Sequence, residues 1–269
     1  MQIGNRQFEI GKKTYVMGIL NVTPDSFSDG GKWNHIEDAI RQTERMLSEG
    51  ADILDIGGES TRPGHTPVDV KEEIARVIPI IKAIKERFDV PVSVDTWKAA
   101  VAKEALEAGA DMINDIWGLQ KDKDMAAVIS EYNAACVIMH NRENGHYDNL
   151  VENVVSDLKR SIAYGTERGI ARDKILVDPG IGFAKTPEEN LLLLNHLEQL
   201  SELSCPVLLG TSRKSVIGYA LDLPVEERLE GTLATTVLGV IKGCAFVRVH
   251  DVKENVRVIR MTEAVLGKR

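Results

Sequence analysis

The sequence predicts an α/β protein, a closed (βα)8 barrel preceded by a short N-terminal β-hairpin, with residues 1–269 forming a single domain. Three observations carry this. Eight apolar runs alternate with segments of helical periodicity, the runs are continuous rather than alternating, and every run ends in polar residues. Continuous apolar strands are expected where helices cover a parallel sheet. Strand ends near 20 and near 250 leave seven intervals, about 33 residues each, which suits one strand, one helix and two loops. A doubly wound open sheet would show the same alternation, but no GxGxxG follows the first strand to support it.

The elements follow in order. Gly4-Asn5 marks a turn and Phe8 with Ile10 a period-two pair, so residues 1 to 11 are expected to form a hairpin capping one end of the core. The first barrel strand, Tyr15 to Leu20, breaks into the polar stretch Asn21 to Gly31, and a helix over 36–49 closes at Gly50. The second strand, Ala51 to Ile56, runs into Gly57-Gly58-Glu59-Ser60-Thr61-Arg62-Pro63-Gly64. Asp69 and Glu72 then make a capping-box-like start for a helix with Val70, Ile74, Val77, Ile78 and Ile81 on its apolar face. The third strand, Val90 to Val94, ends at Asp95-Thr96 and leads to a helix over 98–108. The fourth, Met112-Ile113, ends at Asn114-Asp115, with a helix near Met125 to Tyr132. The fifth, Ala135 to Met139, ends at His140, and a long helix follows with Val151, Val154, Val155, Leu158 and Ile162 on one side. The sixth, Ile175 to Val177, ends at Asp178-Pro179-Gly180, and Thr186-Pro187-Glu188-Glu189 is a strong helix start. The seventh, Pro206 to Leu209, ends at Gly210-Thr211-Ser212-Arg213-Lys214-Ser215, followed by a helix from about Glu226 to Lys242. The eighth, Ala245 to Val247, ends at Arg248-Val249-His250, and a final helix closes the chain.

Composition narrows the function. The hydrophobic fraction of 43% is ample for one large core, and no Pro/Gly/Ser-rich linker divides the chain. A net charge of -8 disfavours nonspecific nucleic-acid binding, while a local cationic pocket for a small anion stays allowed. No apolar run approaches a membrane span and no signal-peptide pattern opens the chain, so a soluble, cytoplasmic protein is expected. Cys136, Cys205 and Cys244 lack CxxC spacing and read as buried reduced thiols.

In a barrel the carboxyl ends of the strands converge on one face, where chemistry is done. Those ends carry Asn21, Glu59 to Arg62, Asp95, Asn114, Asp115, His140, Asp178, Lys214, Ser215, Arg248 and His250. Asp95, Asn114 and Asp178 form an acceptor-rich group that must meet a donor edge if buried. A heterocycle with an amino group beside a ring N–H would satisfy one of these carboxylates, and Lys214 could meet its carbonyl oxygen or a ring nitrogen. Asn21, Arg248 and His250, with the hydroxyls and N–H groups of Ser60 and Thr61, suit an anion such as pyrophosphate. Asn21 could ligate a Mg²⁺ shared with phosphate oxygens.

NVTPDSFSDGG at 21–31, DIGGESTRPG at 55–64, SVDT at 93–96, NDI at 114–116, DPGIGF at 178–183, GTSRKS at 210–215 and RVHD at 248–251 together resemble the dihydropteroate synthase family. The resemblance implies a single pterin-binding TIM barrel that joins 6-hydroxymethyl-7,8-dihydropterin pyrophosphate to p-aminobenzoate in folate biosynthesis. It further implies a homodimer and a sulfonamide target. Carried over by motif, the pterin pocket is Asp95, Asn114, Ile116, Met139, Asp178, Phe183, Gly210 and Lys214. Pyrophosphate falls to Asn21, Ser60, Thr61, Arg248 and His250, with Mg²⁺ on Asn21, and p-aminobenzoate to Phe27, Arg62, Pro63 and Ser215. The implied catalytic groups are Asp29, Lys214, Arg248 and His250. Loops 22–31 and 58–67 are expected to order over the bound substrate. The alternatives are a pterin-binding methyltransferase barrel, against which Arg248-x-His250 argues because methyl transfer releases no pyrophosphate, and a non-catalytic paralogue.

Overall fold

A computed structural model describes residues 1–22, 32–59 and 68–268. The expected roles of Phe27, Asp29, Ser60, Thr61, Arg62 and Pro63, and most of the two substrate loops, lie outside these residues.

The hairpin is formed by β1 (Gln2–Ile3) and β2 (Arg6–Gln7), paired antiparallel, with Gly4 at the turn in a left-handed conformation (φ +54°). The expected pairing of Phe8 with Ile10 does not hold. Phe8 lies beyond the strand and is buried, whereas Ile10 is 39% exposed. The hairpin does cap the core: Phe8 meets Tyr15 edge-on with ring centroids 4.8 Å apart, and Tyr15 stacks on Phe246 at 5.3 Å.

Eight parallel strands follow: β3 (Tyr15–Asn21), β4 (Ile53–Gly57), β5 (Val92–Asp95), β6 (Met112–Asp115), β7 (Ala135–Met139), β8 (Ile175–Asp178), β9 (Leu208–Leu209) and β10 (Phe246–Val249). They pair in the order β8-β7-β6-β5-β4-β3-β10-β9. The sheet closes where Val177 bridges Val207 and donates its N–H to the Pro206 carbonyl at 3.0 Å. Four strands start later than the sequence suggests, β4 at Ile53, β5 at Val92, β9 at Leu208 and β10 at Phe246, and a proline precedes two of them. Pro91 and Pro206 have no N–H to give a ladder, so β5 begins at Val92 and β9 is a two-residue strand preceded by the Val207 bridge.

The covering helices are α1 (Lys32–Glu49), α2 (Val70–Arg87), α3 (Ala99–Glu107), α4 (Met125–Glu131), α5 (Leu150–Glu167), α6 (Pro187–Asn195), α7 (Ser215–Leu221), α8 (Leu229–Ile241) and α9 (Val252–Val265). The capping box at Thr186 forms: its hydroxyl accepts from the Glu189 N–H at 3.2 Å, and Glu189 accepts from the Thr186 N–H at 2.7 Å. At α2 only half a box forms. Asp69 caps the Lys71 N–H, while Glu72 turns to Arg76. Glu226 lies in a short 3-10 turn, so α8 starts at Leu229. Among the described residues no helix is long and apolar enough to cross a membrane.

Buried side chains fall into two clusters that obey strand parity. Met17, Ile53, Met112, Val137, Leu176, Leu208 and Phe246 fill the lower barrel with Ile3 and Phe8. Their neighbours Val16, Leu54, Ile113, Ile138, Val177, Leu209 and Val247 face the helices. Successive strand residues point to opposite faces, so the inward row can be followed upward two residues at a time. Ile53 is followed by Asp55, Ser93 by Asp95, Met112 by Asn114, Leu176 by Asp178, and Phe246 by Arg248 and then His250. The interior therefore changes from apolar to polar toward the carboxyl ends.

Candidate functional site

The inward polar row converges on one guanidinium. Arg248 Nε donates to Asp55 Oδ2 at 2.6 Å, and its Nη2 donates to Asp95 Oδ2 at 2.7 Å. Asn114 Nδ2 is 3.4 Å from the same Asp55 oxygen. Burial works against charge on Arg248, but Asp55 and Asp95 outweigh it and raise its pKa, so it stays a cation. The reverse balance governs Asp95. Burial, opposed by Arg248 and reinforced by Asp55, lifts its carboxyl to about 7. Asp55 Oδ1 and Asp95 Oδ1 are buried with no hydrogen-bond partner among the described residues. Buried acceptors left unpaired by the protein suit a ligand that brings donors.

Asp178 and Lys214 stand on the next side of the barrel mouth. Asp178 Oδ1 accepts the Gly180 N–H at 2.6 Å, and burial raises its pKa against the opposing pull of Lys214. Burial likewise lowers Lys214, to about 8, although Asp178 favours its charge. Lys214 Nζ donates to the Ile181 carbonyl at 2.6 Å and sits 4.8 Å from the centre of the Phe183 ring. Gly210 keeps this space open. A Cβ there would lie 3.5 Å from Asp178 Oδ2, 3.8 Å from Lys214 Nζ and 3.9 Å from Arg248 Cβ. Ile116 and Met139 are buried side chains at the ends of β6 and β7.

His250 lies at the top of the inward row of β10. Its backbone N–H donates to Ser212 Oγ at 3.1 Å, and the same hydroxyl is 2.9 Å from its Nδ1. Ser212 thus holds both the backbone and the ring of His250 and fixes where the imidazole stands. Arg213, in a left-handed conformation (φ +57°), is clamped by Asp251 through Nε at 3.0 Å and Nη2 at 2.5 Å. Ser215 opens α7 and is exposed.

A family model described as "Pterin binding enzyme" matches residues 17–250, from the first barrel strand to His250. The dihydropteroate synthase of Clostridium beijerinckii is 59% identical over the full length of both chains. The chain belongs to the dihydropteroate synthase family. A crystal structure of the family member from Clostridium difficile, in the presence of pteroic acid, is 53% identical and superposes with a TM-score of 0.94 over 96% of this chain and 99% of that one. The Yersinia pestis enzyme with a sulfonamide drug complex is 40% identical, with a TM-score of 0.93 over 99% of each chain.

Within this family framework the expected pterin group is brought together: Asp95, Asn114, Asp178, Gly210 and Lys214 ring the mouth around Arg248. Other strand-end residues are turned away by parity. Asp115, next to inward Asn114, faces outward and accepts the Trp117 and Leu119 N–H groups, both at 2.8 Å. His140, next to inward Met139, faces Asp157 and Lys185. Glu59 is buried beside Lys98, which also holds Glu73 and the Val68 carbonyl, both at 2.6 Å. Asp55 is the residue that the motif reading passed over. Its signal was a lone carboxylate at an inward position of an apolar strand, where only a buried cation could justify it.

A metal cage does not fit this site: among the described residues no group of three or more His, Cys, Asp or Glu side chains could hold one. A Mg²⁺ that arrives with pyrophosphate does fit, because it needs only one or two protein ligands. Asn21 ends β3 exposed, and its Oδ1 would lie 3.6 Å from a Cβ on Gly57, so its amide oxygen is the oxygen ligand this rim offers such an ion.

Proposed function

We propose that this chain is a transferase of folate biosynthesis that joins 6-hydroxymethyl-7,8-dihydropterin pyrophosphate to p-aminobenzoate, forming 7,8-dihydropteroate and releasing pyrophosphate. The observation that carries the reading is the grip of Asp55 and Asp95 on Arg248, which leaves one buried acceptor oxygen on each carboxylate without a partner among the described residues. Membership of the family at 59% identity over the whole chain supports the same reaction.

The pterin ring lies flat among Asp95, Asn114, Asp178 and Lys214. Asp178 Oδ2 and Asp95 Oδ1, the carboxylate oxygens not given to Gly180 or Arg248, accept from its amino group and ring N–H. Lys214 donates to the opposite edge, and Phe183, Ile116 and Met139 line the faces. Arg248 then links two tasks. Nε and Nη2 are held by the carboxylates, so Nη1 is left to reach the pyrophosphate, together with the ring of His250. As the bond from the methylene carbon to the pyrophosphate oxygen breaks, these cationic and N–H groups stabilise the departing charge. Mg²⁺ held by the Asn21 oxygen would, when bound, supply further charge neutralisation. The arylamine of p-aminobenzoate is neutral at pH 7 and needs no strong base to attack the resulting cation. Its carboxylate is assigned to Ser215 at the start of α7 and to Arg62, and the roles of Asp29, Phe27, Pro63, Ser60 and Thr61 stay those implied by the motifs.

Two further points belong to the proposal. The chain works as a homodimer, supported by exposed Leu191, Leu192, Tyr219, Leu221, Ile241 and Met261 on the neighbouring helices α6 to α9. It works in the cytoplasm, where three buried free thiols stay reduced.

Pyrophosphate release, measured with both substrates and again without p-aminobenzoate, tests the reaction. Release only with both supports it. Tighter binding of methyltetrahydrofolate than of the pterin pyrophosphate, with no release, would overturn it. Light scattering reads the mass of the assembly, and a monomer would remove the dimer.

A further inference from the structure

Between β8 and α6 the backbone turns left-handed three times in five residues, at Gly180 (φ +70°), Gly182 (φ +85°) and Ala184 (φ +48°). The same segment supplies the Ile181 carbonyl that holds Lys214 and the Phe183 ring beneath its ammonium. A stretch with so many unusual backbone states keeps one shape only if its surroundings over-determine it. Asn190 on α6 holds the middle, accepting the Gly182 N–H at 2.7 Å. Asp178 accepts the Gly180 N–H at 2.6 Å, the Phe183 N–H donates to the Gly180 carbonyl at 3.1 Å and the Tyr147 hydroxyl donates to the Ala184 carbonyl at 3.0 Å. Lys185 ties two of the segment's carbonyls together. Its Nζ donates to the Gly180 carbonyl at 3.0 Å and the Phe183 carbonyl at 3.1 Å, folding the segment back on itself.

The third contact of that ammonium leaves the segment. His140 Nδ1 at the end of β7 lies 2.9 Å away, and His140 Nε2 is 3.1 Å from Asp157 Oδ2 on α5, which Arg142 Nε also holds at 2.6 Å. A lysine ammonium can only donate, so Nδ1 accepts and Nε2–H donates to Asp157. The ring is thus neutral with a fixed tautomer, and Lys185, His140 and Asp157 form one hydrogen-bonded line from the segment to a barrel helix. Neither His140 nor Lys185 has a place in the reaction described above.

Resting on the reading that Asp178, Phe183 and Lys214 hold the pterin, we propose that Lys185 and His140 are positioning residues that set the affinity for pterin pyrophosphate by fixing residues 179–184, without touching either substrate. Loss of either end of the line lets the Ile181 carbonyl and Phe183 drift from Lys214. The p-aminobenzoate side of the site does not depend on it.

The test compares Lys185→Met, His140→Leu and His140→Asn with the parent, reading KM for each substrate, kcat, and the Kd for pterin pyrophosphate by fluorescence. Asparagine can present an acceptor near the position of Nδ1, so it is the rescue variant. The expected result is that Lys185→Met and His140→Leu raise the KM and Kd for pterin pyrophosphate by about tenfold or more. KM for p-aminobenzoate stays within about twofold, and His140→Asn recovers most of the loss. Unchanged pterin affinity in a folded variant, or equal losses for both substrates, overturns the proposal. If Lys185→Met does not fold, His140→Leu decides by the same criterion. A parent that releases no pyrophosphate would count against the reaction itself, whereas these variants are read against a working parent and by direct binding.

Discussion

Arg248 Nε and Asp55 Oδ2 lie 2.6 Å apart across a sequence separation of 193 residues, with the carboxylate buried in the barrel mouth and the guanidinium partly so. Asp55 has no solvent exposure, so Arg248 stands where water would otherwise meet its carboxyl group. The contact fixes where the guanidinium points and so where Nη1 can meet a leaving group. Asp55→Asn keeps the shape and removes the charge. The expected outcome is a fall in kcat/KM of about 10²-fold, the scale of a catalytic group displaced by an ångström, with the fold retained. Steady-state kinetics with circular dichroism checks it, and near-parental kcat/KM would show that Asp95 alone holds Arg248.

The pH profile follows from two perturbed groups in the free enzyme. Asp95 is raised to about 7 by burial, and Lys214 is lowered to about 8 by burial. The proposed pterin recognition uses Asp95 as an acceptor and Lys214 as a cation. Below about 7 the carboxyl takes up a proton and stops accepting, and above about 8 the ammonium loses one and its charge. The log of kcat/KM for pterin pyrophosphate is therefore expected to be bell-shaped with a narrow top, its limbs belonging to the coupled site. Lys214→Arg, weaker overall, should lose the alkaline limb because a guanidinium stays charged there. Retention of that limb in the variant would reassign it.

Much of this site was legible because polar residues follow apolar ones along the same inward rows. Asp95, Asn114, Asp178, Lys214, Arg248 and His250 were all visible as polar interruptions at strand ends. The strand-end pattern alone named Asp115 beside Asn114 and His140 at the end of its strand, and it was the motifs that took Asn114 and Met139, because only the register of the closed barrel decides which of two neighbours points inward. The Asp55–Arg248 pair was hidden for a related reason: β10 pairs with β3 and β3 with β4, so first and last strands meet only on closure. Proline shortened β5 and β9 in a way local reading could have anticipated, since neither Pro91 nor Pro206 can donate. The alternating left-handed residues at 180–184 have no such signal at Ala184, whose conformation is imposed by its neighbours.

His140 makes stability depend on acidity. Burial lowers its pKa to about 4, against the help of Asp157, while the unfolded chain should titrate near 6.5. Between these values the unfolded state binds more protons than the folded one, so stability falls as pH drops. The contribution is complete above about 6.5 and lost progressively toward 4, on the order of 3 kcal/mol. His140→Asn cannot titrate, and its urea midpoint should therefore decline less than the parent's between pH 7 and 4.5. Parallel declines would place the acid sensitivity in the carboxylates instead.

Two glycines in the same rim separate pocket filling from backbone strain. At Gly210 a Cβ would meet Asp178, Lys214 and Arg248 at 3.5 to 3.9 Å, ordinary contact distances. Gly210→Ala should fold with stability within about 0.5 kcal/mol of the parent. It nevertheless places a methyl where the proposed site puts the ring, so the KM for pterin pyrophosphate should rise about tenfold or more, on the scale of one methylene's worth of overfilling. At Gly180 the backbone is left-handed and a Cβ would fall 1.9 Å from the His140 carbonyl oxygen, which cannot move without β7. Gly180→Ala should cost about 2–3 kcal/mol or prevent folding. Thermal melts and KM measured on the pair check both. A Gly210→Ala protein that binds pterin pyrophosphate like the parent would mean that the ring does not occupy the space between Asp178 and Lys214.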